Sequence, residues 1–433
     1  SVKFTYAPCL LWMAATIADG DICGLGLMSG TSMDGIDAAV VIVSADGERI
    51  VALGPCLTRP YSQKTRAKIA SVLGDRGTDD ARVAVANLLT RRHAEVANEL
   101  LALCAPPFVP TLVGFHGQTV EHRPHDGVTI QLGDAALLAQ LVGLDVVSDF
   151  RTRDVAAGGE GAPLAPCYHA ALLQSRGGGD AVALLNVGGV ANFTYVPRRG
   201  DGGALFGTMI AADTGPGCAL IDDFMLRRTG VAMDRDGATA ASGTVARDVL
   251  ESLYALGCLT GGDGDDETIN FFDAAPPKSL DRNTFAAALK LVDEACESTA
   301  DGAATLTAFT AECVARVVTH LPTKPKLWLV CGGGRRNLHL LERLREVLNR
   351  DGTESTGDGD CTAPPRVRVD AVEAGCDADA PVQFRGDFVE AECFAYLAVR
   401  SLLELPLSFP LTTGVAKPTS GGRLTRYNGG VES

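Results

Sequence analysis

Apolar side chains along this chain fall into two patterns, short continuous runs and longer stretches with helical spacing. The short runs near the start predict a meander of three strands at residues 22–28, 37–44 and 50–57. Residues 79–104 then place apolar side chains three and four positions apart, which predicts an amphipathic helix. A second meander, predicted at 181–187, 191–196 and 205–210, is again followed by helices that alternate with strands.

The repeated order of elements predicts a duplicated α/β architecture of two lobes with a cleft between them. No residue-level repeat accompanies it, so the prediction depends on element order alone. The predicted parts are a variable leader at 1–20, an N-terminal lobe at 21–150, a C-terminal lobe at 151–404, and a tail at about 405–433 that packs back on the first lobe.

The composition argues against several kinds of partner and favours one cellular compartment. The 433 residues carry a net charge of −15, which argues against a nonspecific nucleic-acid or acidic-membrane surface and predicts no partner of either kind. An anionic substrate must then be bound by local arginines. The 13 cysteines are odd in number and contain no Cys-x-x-Cys pair, which favours reduced thiols in a cytoplasmic enzyme. The apolar run at 7–18 is too short to span a bilayer.

The segment 24–37 is the most informative stretch. Two apolar runs flank a turn of small and hydroxyl residues, which predicts a β-hairpin. Gly30 and Gly35 can adopt a positive φ and leave the peptide N–H groups open. Ser29, Thr31 and Ser32 add hydroxyl donors, so the turn is a candidate anion nest for a nucleotide phosphate. The alternative is a hairpin turn without a ligand.

Two further glycine-rich loops each follow an apolar run and precede a helical stretch. They lie at 211–217 and 330–337. Amide groups at a helix N-terminus favour negative charge, so three such loops suggest one bound nucleotide. The chain has no Gly-x4-Gly-Lys-Ser/Thr sequence, which excludes the common P-loop.

Ten sequence blocks are recognisable together: GLMSGTSMDGID (26–37), FHGQT (115–119), QLGD (131–134), SDFRTRD (148–154), AGGEGAPLAP (157–166), LNVGGVAN (185–192), DTGPG (213–217), PPKS (276–279), CGGG (331–334) and GDFVEA (386–391). With them the chain resembles the anhydro-N-acetylmuramic acid kinase family of the sugar kinase/Hsp70/actin superfamily. The resemblance implies an α/β, two-lobed actin-like ATPase fold built from duplicated ribonuclease-H-like domains. It also implies a kinase that uses ATP and Mg²⁺, opens a 1,6-anhydro bond with water and yields N-acetylmuramic acid 6-phosphate.

The resemblance implies a nucleotide site made of turn residues from both halves of the chain. The residues expected to bind ATP are Ser29, Gly30, Thr31, Ser32, Met33, Asp34, Gly35, Gly188, Gly189, Thr214, Gly215, Gly217, Gly332, Gly333, Gly334 and Asn337. Asp34 is also the candidate metal ligand, although it can equally be an Asp-Gly turn former. A homodimer is a further expectation from the family.

Asp213 is the candidate general base, because water attack on an anomeric carbon needs a proton acceptor near the sugar. An Asp before Thr-Gly-Pro-Gly would also serve well as a helix N-cap. The local sequence alone favours neither role, and the resemblance favours the catalytic one.

The expected substrate contacts are His116, Gln118, Arg151, Arg153, Gly159 and Glu390. Two arginines at a strand end suit the lactyl carboxylate of a muramic sugar. Alternatively, they are surface arginines paired with Asp149 and Asp154. Glu390 resembles a substrate-contacting glutamate of the family, or it is a favourable acid in a first helical turn. No acidic or cysteine partner joins the nearby histidines at 116, 122 and 125 into a metal site.

Two departures from the family bear on specificity. Cys218 stands where the family usually has asparagine, and residues 373–385 add extra length beside Glu390. Besides the muramic sugar kinase, two other functions are therefore considered: a kinase for a neutral anhydrosugar such as levoglucosan, and a nucleotide-dependent binding module without turnover. The two arginines favour the muramic sugar, and Asp213 argues against the module.

Overall fold

A computed structural model describes residues 18–30, 33–74, 76–174, 179–197, 205–259, 269–280, 285–350, 367–374, 382 and 384–429. The chain divides into two units. The first comprises residues 1–178 and 377–433, and the second comprises 179–376. The boundaries expected after residues 150 and 404 differ from this division, because the helices after residue 150 and the last long helix belong to the first unit.

The described residues of the first unit contain sixteen α-helices and strands. They are β1 (Ile22–Ser29), β2 (Gly35–Val43), β3 (Ile50–Pro60), α1 (Gln63–Ala70), α2 (Asp79–Leu103), β4 (Leu112–Arg123), β5 (Val128–Leu132), α3 (Ala135–Val142), β6 (Asp145–Ser148), α4 (Thr152–Ala156), α5 (Ala165–Gln174), α13 (Val389–Leu402), β14 (Pro406–Ser408), α14 (Pro410–Thr413), β15 (Thr419–Ser420) and β16 (Arg423–Thr425). The first meander therefore forms as predicted. Helix α5 was not predicted, because eight of its ten residues are buried and it has no polar face.

The strands of the first sheet follow the order β16-β6-β4-β1-β2-β3, with β5 paired to β4. Strands β1, β4 and β6 are parallel, whereas β2 and β3 are antiparallel to their neighbours. Strand β16 comes from the C-terminal tail and pairs with β6, so the tail lies on the first unit. Beneath this sheet, α2 packs with Leu89, Val96 and Leu100 in the apolar core.

Helix α13 packs unusually close to the sheet because glycines face it. A Cβ at Gly26 would lie 1.8 Å from the backbone oxygen of Ala391, and one at Gly114 would lie 2.0 Å from that of Phe394. Only glycine permits this approach of helix to strand. The first turn of α13, which contains Glu390, is thereby held against the sheet.

The second unit contains fourteen helices and strands among its described residues. They are β7 (Val182–Val187), β8 (Val190–Val196), α6 (Leu205–Thr208), β9 (Ile210–Pro216), α7 (Cys218–Thr229), α8 (Ala238–Ala241), α9 (Arg247–Ala255), β10 (Cys258–Leu259), β11 (Ile269–Asn270), α10 (Ala286–Ala295), α11 (Thr299–Arg316), β12 (Leu327–Cys331), α12 (Leu338–Leu348) and β13 (Arg368–Ala371). Short 3₁₀ turns occur at Phe271–Asp273 and Gly333–Arg336.

The second sheet has the order β13-β12-β7-β8-β9. When β5, β16 and the separate β10–β11 pair are left out and the remaining strands of each sheet are numbered in chain order, both sheets read 5-4-1-2-3, with the second strand antiparallel to the first. This shared order is that of a ribonuclease-H-like domain, and it confirms the predicted duplication.

One predicted strand of the second meander is wrong. Residues 205–208 form a short helix, and the strand begins at Ile210 and runs to Pro216. The segment 211–217, expected as a loop, is therefore mostly strand, since the small residues Ala211, Ala212 and Gly215 can be buried within a packed sheet. No helix in the described part of the chain combines the length and apolar character needed to cross a membrane.

Candidate active site

Asp213 lies in the edge strand of the second sheet, opposite Asn192 of β8. Its N–H donates to the carbonyl of Lys278 (2.9 Å), and the N–H of Leu280 donates to its Oδ2 (2.7 Å). Burial raises the pKa of the Asp213 carboxyl to about 7, against the lowering effects of the Leu280 N–H and the Lys278 ammonium. Helix α7 begins at Cys218 with Gly217 as its N-cap, so Asp213 is not a helix cap.

The β7–β8 turn and the start of α7 are joined by backbone hydrogen bonds. The N–H groups of Gly217 and Cys218 donate to the carbonyls of Gly189 (3.0 Å) and Gly188 (2.7 Å). A Cβ at Gly217 would lie 2.3 Å from the Gly188 oxygen, so a glycine is required there. The buried hydroxyl of Thr214 donates to the Ala191 carbonyl, at 3.2 Å.

The third predicted turn follows β12. Gly332 adopts a φ of 73°, and a Cβ there would lie 2.4 Å from Oδ1 of Asn186. Gly333 is exposed, with no atom within 4 Å of an added Cβ, whereas Gly334 is buried. The Asn337 side chain accepts from the N–H of Leu340 at 2.9 Å and caps α12. This turn offers exposed backbone at a helix N-terminus, as predicted.

In the first unit, β1 and β2 form the predicted hairpin. Thr31 and Ser32 of its turn lie outside the described residues. Met33 takes the positive φ of this turn (54°), and its N–H donates to the Gly30 carbonyl. Gly35 does not adopt a positive φ, contrary to the prediction. A glycine is needed at this position for another reason: a Cβ there would lie 2.4 Å from the backbone oxygen of Arg59.

Ser29 and Gln118 are both buried, and their side chains form hydrogen bonds at the start of the hairpin turn. The Ser29 hydroxyl donates to Oε1 of Gln118 (2.6 Å) and accepts from the Tyr61 hydroxyl (2.9 Å). The Gln118 amide donates to the Gly30 carbonyl (3.2 Å). The Ser29 and Gln118 side chains are therefore hydrogen-bonded to each other and to the start of the turn.

The two candidate arginines differ in environment. The Arg151 guanidinium donates to Nε2 of His116 (3.1 Å) and to the Gly161 carbonyl (2.8 Å). Arg153 is exposed and donates to the Ser420 hydroxyl (2.8 Å). Neither follows the alternative prediction of surface ion pairs.

Asp149 and Asp154, the acids of the alternative ion pairs, have other hydrogen-bond partners. Asp149 accepts from the Thr152 hydroxyl (2.5 Å). The buried Asp154 accepts from the Gly161 N–H (2.6 Å) and the Thr413 hydroxyl (2.7 Å). A Cβ at Gly159 would lie 2.3 Å from Oδ1 of Asp154. Gly159 therefore allows the 158–161 loop to fold over this carboxylate.

Glu390 lies in the first turn of α13 and interacts electrostatically with Arg151 and with Asp37 of β2. Its side chain still reaches solvent, while crowding by protein raises the pKa of its carboxyl against the lowering effect of Arg151. Desolvation raises the pKa of Asp37 to about 6, although the Thr58 hydroxyl donates to it at 2.5 Å.

Sequence reasoning did not select Asp37 as a site residue. Asp37 ends the GLMSGTSMDGID block between two buried residues, Ile36 and Ala38, and that position was the available signal.

No group of three or more His, Cys, Asp or Glu residues within the described ranges is arranged to hold a metal ion. The Asp34 side chain is 78% exposed, with its carboxylate 3.6 Å from the Arg66 guanidinium. Mg²⁺ usually takes one or two protein carboxylates and completes its shell with phosphates and water. A single accessible carboxylate at the hairpin turn fits that mode of binding.

Two ribonuclease-H-like units with glycine turns beside their first strands define the class of actin-like ATPases and sugar kinases. A family model described as anhydro-N-acetylmuramic acid kinase matches residues 23–374. The chain belongs to this family.

Relatives named as members of this family match the sequence over nearly the full length of the chain. The anhydro-N-acetylmuramic acid kinase of Rhodospirillum rubrum is 46% identical over 94% of this chain and 94% of its own. That of Nitrobacter winogradskyi is 44% identical over 93% and 99%. A ROK family glucokinase structure from Streptomyces griseus aligns over 87% of this chain and 99% of its own, with 15% identity and a TM-score of 0.34.

Proposed function

We propose that this protein is an ATP-dependent kinase for anhydro-N-acetylmuramic acid. It adds water across the 1,6-anhydro bond and transfers the γ-phosphoryl group to O6, which gives N-acetylmuramic acid 6-phosphate. The observation that carries the proposal is the Asp213 carboxylate. Its Oδ2 accepts from the Leu280 N–H, and no described residue makes a hydrogen bond or an ion pair to its Oδ1.

Asp213 acts as the general base. Oδ1 takes a proton from water, the water oxygen forms a bond to C1, and the C1–O6 bond breaks. A base with a pKa of about 7 combines a large ionised fraction near neutrality with useful basicity. The electron pair left on O6 then attacks the γ-phosphorus, and the bond to the β-phosphate oxygen breaks as ADP leaves.

The glycine turns supply backbone donors for the nucleotide, since phosphoryl transfer depends mainly on positioning and charge neutralisation. The hairpin turn at 29–35 and the turns at 188–189, 214–217 and 332–334, with Asn337, are the proposed ATP contacts. Asp34 would hold Mg²⁺, which supplies neutralisation of phosphate charge when it is bound.

The sugar contacts come from the first unit. Arg151 and Arg153 bind the lactyl carboxylate, with Glu390 and the 158–161 loop beside them. A guanidinium can donate two parallel hydrogen bonds to a carboxylate, which a neutral anhydrosugar does not offer. The muramic sugar is therefore the preferred substrate. We further expect a cytoplasmic enzyme that forms a homodimer, as the resemblance implies.

The test is phosphoryl transfer from ATP with Mg²⁺ to anhydro-N-acetylmuramic acid and to levoglucosan, with ATP affinity measured by calorimetry. The proposal predicts turnover of the muramic sugar with a much higher kcat/KM than levoglucosan. Higher kcat/KM for levoglucosan identifies a neutral-sugar kinase. ATP binding without any turnover identifies a binding module.

A further inference from the structure

Lys278 is the residue of the PPKS block that the proposed chemistry does not use. Its side chain is half-buried, and its ammonium donates to the carbonyls of Phe271 (2.7 Å) and Phe272 (3.3 Å). The same ammonium lies 4.7 Å from the centroid of the Phe271 ring, within cation–π range. These contacts exclude the role of an ordinary surface lysine.

The carbonyls that Lys278 contacts belong to a turn fixed in the core. Phe271 and Phe272 are buried in the apolar cluster of the second unit, with Phe309 and Cys313 of α11. The Phe271 N–H also donates to the Gly257 carbonyl, at 2.7 Å. Lys278 therefore links its own segment, residues 278–280, to a turn that is buried in the core.

The tied segment is the one that holds Asp213. Strand β9 is the edge of its sheet, and residues 278–280 lie along that edge. The Lys278 carbonyl accepts from the Asp213 N–H, and the Leu280 N–H donates to the carboxylate. Both contacts come from one short stretch, and Lys278 is part of it.

We propose that Lys278 is a positioning residue for Asp213. Its ammonium anchors residues 278–280 to the Phe271–Phe272 turn, and the anchored segment holds Oδ2 of Asp213 so that Oδ1 is presented to water. The inference rests on the proposed role of Asp213 as the base. Lys278 acts through the segment and through its charge, without touching the substrate.

The anchor also sets the acidity of the base. Lys278 is the charged group that acts on the Asp213 carboxyl, and Asp273 of the 3₁₀ turn with Cys313 and Arg316 of α11 act in turn on the Lys278 ammonium. The Leu280 N–H and the Lys278 charge both favour the ionised carboxylate, so loss of the anchor raises the pKa of Asp213. Lys278 itself has a pKa lowered by burial to about 8, so its charge is present where Asp213 titrates.

The test compares Lys278→Met with Lys278→Arg, and uses Lys290→Met as the matched control. Lys290 lies on α10 of the same unit, is 71% exposed and pairs only with Glu294 among the described residues. In the plot of kcat/KM against pH, we expect Lys278→Met to shift the acidic limb to higher pH by about one pH unit, since a nearby opposite charge shifts a pKa by about that much. The loss is then about tenfold at pH 6 and less than about twofold at pH 9.

Lys278→Arg keeps a cation that can donate to the same carbonyls, so its limb stays near that of the wild type. Lys290→Met leaves the whole profile unchanged. An unmoved limb in Lys278→Met overturns the proposal. A selective rise in KM for ATP with an unmoved limb does so as well, and it identifies Lys278 as a phosphate ligand.

Carboxyl ¹³C NMR, with the Asp213 signal assigned by Asp213→Asn, measures the same midpoint without turnover. The midpoint rises in Lys278→Met if the anchor exists, even when the wild-type protein phosphorylates no anhydrosugar; in that case the proposed function fails and the anchor remains. If the wild-type protein phosphorylates the sugar but the Asp213 midpoint is the same in Lys278→Met, the proposed anchor is refuted and the proposed function stands.

Discussion

The Nε atom of Arg151 donates to Nε2 of His116 at 3.1 Å, while Nδ1 of the same ring lies 2.9 Å from the Gly117 carbonyl. An imidazole nitrogen that accepts carries no proton, so His116 is neutral with its hydrogen on Nδ1. Burial and the Arg151 charge hold the pKa of His116 well below its ordinary value. Only 4% of His116 is exposed, and we infer that it acts by orienting Arg151.

Replacement of His116 should therefore act through Arg151. We expect His116→Leu, which removes the acceptor, to raise KM for the muramic sugar about tenfold or more, because an unpaired buried donor costs about 1–3 kcal/mol. His116→Gln can place Oε1 near the Nε2 position and should recover most of the loss. Steady-state kinetics with both variants makes the comparison.

A double-mutant cycle separates this role from direct sugar contact. In an Arg151→Ala background, His116→Leu should change KM little further, because the partner is already absent. Fully additive losses would contradict the assignment.

Asp213→Asn should lower kcat by about 10²- to 10⁴-fold, the range typical of a lost general base. The Leu280 N–H can still donate to the amide oxygen, so local geometry and ATP affinity should persist. Near-normal turnover, or a parallel loss of ATP binding in calorimetry, would count against the base assignment.

The pH profile of the wild-type enzyme follows from the same carboxyl. Its pKa is raised to about 7, so the proton acceptor is available above that pH and lost below it. We expect kcat/KM for the muramic sugar to fall tenfold per unit on the acidic side of about pH 7. A limb near pH 4, at the value of an ordinary aspartate, would show that Asp213 titrates without burial or that another group limits the rate.

The sequence predicted the first meander, the first two strands of the second and the glycine turns after β1 and β12, because strand periodicity and turn composition are local properties. The family motifs also pointed to Asp213 as the candidate general base, and that role stays a prediction. Sequence reasoning missed Lys278 and Asp37, whose proposed roles depend on partners distant in the sequence, Asp213 for Lys278 and Glu390 for Asp37. Arg151 and Arg153 look equivalent as residues of SDFRTRD, and only tertiary packing directs the first toward His116 and the second toward Ser420.

This difference between the arginines predicts unequal effects. Arg151→Ala should raise KM for the muramic sugar more than Arg153→Ala does, because Arg151 is held by two hydrogen bonds beside Glu390. Both variants should affect levoglucosan less, since it has no carboxylate. Equal losses on the two sugars would refute carboxylate recognition by these side chains.

Gly26→Ala should destabilise the first unit and displace Glu390. The added Cβ would lie 1.8 Å from the Ala391 oxygen and 2.5 Å from the Ala395 nitrogen, both in the backbone of α13. Overpacking of this kind typically costs about 1–3 kcal/mol of unfolding free energy. Gly207→Ala, with no atom within 4 Å of the new Cβ, is the control in urea unfolding. Equal stability of the two variants would mean that α13 is not closely packed on β1.

The most direct measurement of the central claim is the fate of water oxygen during turnover. The purified protein is incubated in ¹⁸O-labelled water with ATP, Mg²⁺ and anhydro-N-acetylmuramic acid, and the product is analysed by mass spectrometry and ³¹P NMR. We predict one ¹⁸O at C1, a phosphate at O6 without solvent label, and about 10²- to 10⁴-fold slower formation of this product by Asp213→Asn. A phosphorylated sugar that keeps its anhydro ring, or an intact sugar with no transfer of phosphate, would contradict the account.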